Sequence, residues 1–107
     1  MFLKNMRKIY TFILLTFVCT NIAYADLKSE AQTMVYKAQE CYFSLPSYAQ
    51  DGAIDSWLET KKWWNDAVKE DKMGDPRGLA TPFYNNAYAY AGVVLQIGSA
   101  YGSQVCR

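Results

Sequence analysis

The chain contains no histidine. This removes the usual general base of hydrolytic triads, the paired histidines of H-E-x-x-H zinc sites, and histidine-ligated haem. A phosphate loop is missing too, because Gly74-Asp75-Pro76-Arg77-Gly78 has neither the Lys-Ser/Thr pair nor a preceding strand. Carboxylates are present but in no catalytic arrangement. Asp51, Asp55 and Glu59 are spaced by four, so they share a face if their helix begins early. They match neither the opposed acids of a glycosidase nor the alternating ligands of a calcium loop. The chain therefore reads as a non-enzyme with no metal site and no cofactor.

A hydrophobic run long enough for a membrane span is also lacking at the N-terminus. Residues 9–18 are almost wholly apolar, about half of what a bilayer requires. Lys4, Arg7 and Lys8 precede this run, and Ala23-Tyr24-Ala25 follows it. A basic start, a short apolar stretch and an A-x-A site make a secretory signal, expected to be cleaved after Ala25. Residues 1–25 are then a signal peptide and 26–107 the mature domain, located in the periplasm or secreted. Cys19 follows Phe17 and Val18 rather than a small residue, so it reads as a passenger in the signal and not as a lipid attachment site.

Basic charge becomes scarce once that segment is removed. Eight Lys and Arg side chains remain against ten acids, a formal charge of −2. Such a domain has no stripe to neutralise phosphates, which excludes a nucleic-acid partner. The Lys61-Lys62 pair reads as a solvated helix face. Only Cys41 and Cys106 remain, an even number in an oxidising compartment, and they are expected to pair. With no Cys-x-x-Cys spacing, the bridge reads as structural and not as a redox centre.

What the mature chain does have is helical periodicity. Leu27, Ala31, Met34, Ala38, Cys41 and Tyr42 recur at threes and fours, predicting a helix over 26–43 that Leu45-Pro46 stops. Residues 44–54, with Pro46, Ser47 and Asp51-Gly52, read as a linker. Ser56 and Glu59 fit a capping box, so the second helix is expected from Asp55 or Ser56, with Trp57 and Trp64 in the core. Thr81 as N-cap and Pro82 at the first position open a third helix, running to about Ser103. No charge lies between Gly78 and Arg107, so this helix is expected to be buried on most of its circumference. The resulting fold class is all-α: a small up-down-up three-helix bundle, with room for an extra short helix, stapled by one disulfide. Alternating directions bring Cys41 and Cys106 to one end.

Aromatic residues supply the one signal of function. Trp63 falls off the core stripe of the second helix, and Tyr36 and Phe43 fall off that of the first. They either cover the linker or form a recognition patch, since exposed aromatics are what binding hot spots are made from. With Asp51, Asp55 and Glu59 they make the candidate partner-binding set, the acids facing a basic partner surface. Gly98-x-x-x-Gly102 permits a close approach by another helix. The expected function is that of a small exported protein that binds another envelope protein, in the manner of inhibitors, immunity proteins or assembly factors. The alternative is a membrane-associated accessory protein, with helix 82–103 packed against or across the bilayer.

Overall fold

The computed structural model describes residues 23–107, and among them every regular element is helical. The expected signal segment lies largely outside the described residues. Three helices follow in order: α1 over Ala23–Ser44, α2 over Ser47–Lys72 and α3 over Ala80–Ala100.

Each helix buries one stripe with the period of 3.6. On α1 the stripe is Ala31, Val35, Ala38, Cys41 and Tyr42, continued by Leu45 beyond its end. On α2 it is Ala49, Ala53, Trp57, Thr60 and Ala67. On α3 it is Ala80, Tyr84, Ala87, Ala91, Val94 and Gly98. Small residues dominate, which lets the helix axes close tightly, and the few large rings fill what remains. Tyr42 stacks on Trp57 at 5.7 Å between centroids, and Tyr84 meets Trp64 edge-on at 5.4 Å.

The helices run in alternating directions, as contacts at the two ends establish. At one end, Asp71 near the close of α2 accepts a hydrogen bond from the buried Tyr84 hydroxyl of α3 at 2.8 Å. The same carboxylate oxygen pairs with Lys28 Nζ of α1 at 2.9 Å, so one side chain ties three helices. At the other end, Cys41 Sγ of α1 stands 2.03 Å from Cys106 Sγ beyond α3, the distance of a disulfide. Tyr101, just after α3, meets Tyr48 in the first turn of α2.

The expected linker 44–54 is corrected. Only Leu45 and Pro46 separate α1 from α2, and Asp51-Gly52 lies inside the helix. Three features hold the early start. Pro46 is extended (φ −66°, ψ 161°), and its carbonyl accepts from the amides of Ala49 and Gln50. Gln50 Nε2 donates to the Tyr42 carbonyl at 3.1 Å, which also accepts from the Leu45 amide at 3.2 Å, tying the first turn of α2 to the end of α1. Ala49 and Ala53, spaced by four ahead of Trp57, are fully buried. Tertiary packing thus overrides turn propensity. The capping box at Ser56 falls with the linker, because Ser56 is mid-helix and its carbonyl accepts from Thr60 Oγ1.

The remaining boundaries differ less. α2 ends as Gly74-Asp75-Pro76 suggests, with Gly74 left-handed (φ 82°) and Asp75 N donating to the Glu70 carbonyl. α3 starts at Ala80 with Leu79 at the N-cap, so Thr81 and Pro82 lie inside its first turn. The first helical amide, Ala80 N, donates to Asp75 Oδ1 at 3.0 Å across the turn. α3 ends at Ala100, three residues short of the expected Ser103, and Gly102 follows in the same left-handed conformation (φ 87°). Nor is α3 buried on most of its circumference. Two neighbouring helices cannot surround a third, and Tyr88, Tyr90 and Val93 stay exposed on its far side.

Candidate functional site

α3 packs against both α1 and α2, and those two touch each other least, leaving a groove between their outer flanks. Its volume is about 330 Å³. The α1 wall is one stripe, Gln32, Val35, Tyr36, Gln39 and Phe43, at spacings of three and four. The α2 wall is Trp57, Lys61, Trp64 and Asn65, again one stripe. Phe43 is 64% exposed and Tyr36 59% exposed, so their rings stand over the groove as its rim. Trp57 is buried at the floor, its ring face covered by Tyr42 and its flank met edge-on by Phe43 at 6.1 Å.

The groove is lined by aromatic rings, three neutral amides and one cation, and by no carboxylate. Lys61 makes no ion pair among the described residues. Gln32, Gln39 and Asn65 make no hydrogen bond through their side chains there, and all three are solvent-exposed. The arrangement offers stacking surfaces and hydrogen-bonding side chains.

The six residues singled out from the sequence do not form one patch. Tyr36 and Phe43 share the groove. Trp63 lies on the opposite flank of α2, packed on Phe83 of α3 at 5.5 Å, with its indole N–H donating to Glu59 Oε2 at 3.0 Å. Asp51 and Asp55 do share the outward face of α2 with Glu59, since the helix begins early, but they line no part of the groove. Lys61 and Lys62 also separate: Lys61 enters the groove, and Lys62 lies over the Trp63 ring at 4.9 Å. The amides escape a reading that follows apolar periodicity alone. Their signal was the alternation Gln32, Tyr36, Gln39, Phe43 on one helix face.

A second polar cluster sits where α2 turns into α3. Glu70, 1% exposed, accepts from Arg77 Nη2 at 2.7 Å, from Arg77 Nε, and from the Arg77 amide at 3.2 Å. The side-chain hydrogen bond from Arg77 holds the Glu70 carboxyl below the usual glutamate range, against the opposing effect of burial. The same bond raises Arg77. Both Glu70 oxygens are taken up by Arg77, so the pair ties the turn to the end of α2, while the rest of the Arg77 side chain faces solvent. No group of residues suited to a metal ion occurs among the described residues.

Comparison with protein-family models, with curated proteins and with solved structures finds no match.

Proposed function

We propose that this is a small exported, non-catalytic protein that binds another protein of the cell envelope through the α1–α2 groove, as an inhibitor, immunity protein or assembly factor does. The observation that supports the reading is the pair of large rings, Tyr36 and Phe43, held out over a concave seam instead of folded into the core. Exposed rings beside a pocket are the usual anchors of a protein interface. Both rings keep most of their surface in water, Phe43 spending only an edge contact on Tyr42 and Trp57, and their rigid helical seat lowers the entropy cost of binding. Export supplies the compartment in which the Cys41–Cys106 pair stays oxidised.

The test is affinity capture from envelope extract with the mature domain and with a Tyr36→Ser/Phe43→Ser variant. A stoichiometric partner retained by the first and lost by the second is expected. Identical captured proteins from both baits would reject the groove as the binding site.

A second reading, attachment to the bilayer through α3, draws support from its uncharged outer side with Tyr88, Tyr90 and Val93 exposed. No helix among the described residues is long and apolar enough to cross a membrane. Attachment would therefore be along the surface, and Tyr88→Glu/Val93→Glu would release the protein from sedimenting membranes.

A further inference from the structure

The α1–α2 groove selects among the shapes a partner chain can present. Resting on the protein-binding reading above, we infer that its occupant is an extended, proline-containing segment with an acidic side chain near Lys61.

Helices wall the groove on both sides, and a helix keeps its backbone groups to itself. Neither wall offers a strand edge, so a β-strand could not be recognised by pairing. An amphipathic helix would suit a dry apolar groove, but here the walls carry Gln32, Gln39, Asn65 and Lys61, which a helix could meet only through its side chains because its backbone groups are used internally. A polyproline II segment is the reverse case. Its carbonyls carry no internal hydrogen bonds and point outward along its length, so they need donors. Three amides, each able to turn its NH2 toward a carbonyl, and an ammonium can supply donors, with no carboxylate to repel the acceptor row.

The spacing agrees. Tyr36 and Phe43 are seven residues apart on α1, and Trp57 and Trp64 seven apart on α2, so along a helix axis each pair is separated by about 10.5 Å. One turn of polyproline II advances by about 9.3 Å. Prolines one turn apart therefore meet Tyr36 and Phe43 in succession, ring against ring, while Gln39 between them reaches the intervening carbonyl. The segment enters already extended, so little chain entropy is lost. Lys61 is the one charge in the groove and it lacks an ion-pair partner among the described residues, which assigns an aspartate or glutamate to the facing position.

The test uses three synthetic probes of about twelve residues: a proline-repeat peptide bearing glutamate, the same peptide bearing lysine, and an amphipathic helical peptide of equal negative charge. Binding is read from the indole resonances of Trp57 and Trp64 on the mature domain. Saturable binding of the acidic proline peptide is expected, weakened roughly tenfold or more by Phe43→Ala. Lys61→Glu should invert the preference toward the lysine peptide. Both positions are exposed, so circular dichroism should show the fold retained. Binding of the helical probe in place of the proline peptide would overturn this inference and leave the protein-binding function standing. No shift with any probe would overturn it too, and the capture experiment then judges the broader reading separately.

Discussion

The sulfur of Cys106 occupies the space that a side chain at Gly98 would fill. A Cβ built on Gly98 overlaps both Cys106 Sγ and Cys41 Sγ. Gly98 alone thus permits a close approach, to a cystine crossing α3 and not to another helix, whereas Gly102 lies beyond α3 with nothing within 4 Å of the space its side chain would fill. Gly98→Ala should destabilise the domain by about 1–3 kcal/mol, the usual range for overpacking. Urea unfolding measures it; a midpoint unchanged from wild type would show that the cystine does not rest on α3.

The bridge itself makes the second prediction. Cys41 and Cys106 are almost fully buried and are separated by 65 residues. On the chain-entropy model a closed loop of that length contributes about 4 kcal/mol, and Cys106→Ala should cost about 2–5 kcal/mol. Thiol counting on denatured, unreduced protein should find neither cysteine free. Mild reductant should leave the native bridge intact and cleave it once denaturant is added, because attack requires access to the sulfur. Two free thiols per chain would reject the bridge.

Acid should loosen the turn between α2 and α3. Arg77 holds the Glu70 carboxyl below its ordinary value of 4.5. The contribution of this pair is therefore fully present above that value and is lost as pH falls through the lower, folded value. Glu70→Gln should be less stable than wild type at neutral pH, since its amide turns donors toward a guanidinium. The gap between the two proteins should close as the solution is acidified. A gap independent of pH would mean that Glu70 acts by shape and not by charge.

Processing is checked independently of the fold. The A-x-A site at Ala23 and Ala25 predicts Asp26 as the first residue of exported protein. Intact-mass measurement retaining residues 1–25 would remove the export reading, and with it the oxidising compartment.

Sequence pattern carried the three helices because each has a stripe of buried residues at helical spacing, and that signal survives local exceptions. It carried the disulfide because cysteine parity and helix direction agree. It failed at the start of α2, where Pro46, Asp51 and Gly52 are turn formers whose preferences are weaker than burying Ala49, Ala53 and Leu45. The groove was half legible. Tyr36 and Phe43 stood out as rings off the core stripe, whereas the part played by Lys61 depends on how α1 and α2 splay, which no local pattern contains. Trp63 looked free from sequence and is not, since Phe83 and Glu59 both claim it.

Gly52 offers the sharpest test of that misread boundary. Glycine inside a helix costs about 1 kcal/mol relative to alanine, so replacing it should stabilise α2 if nothing else changes. Something else does change, because a Cβ at position 52 would stand 2.6 Å from the Tyr101 hydroxyl. That oxygen is the far end of a half-exposed ring, which can swing aside but then loses its edge contact with Tyr48 at 5.9 Å. Such an aromatic contact contributes about 0.5–1.5 kcal/mol, similar to the helix gain. Gly52→Ala alone should therefore leave stability nearly unchanged. In a Tyr101→Ala background the same substitution should stabilise by about 1 kcal/mol, since the obstruction is gone. Thermal or urea unfolding of the four proteins closes the cycle. If Gly52→Ala instead costs several kcal/mol in both backgrounds, position 52 needs a conformation only glycine adopts, and residues 44–54 form a linker after all.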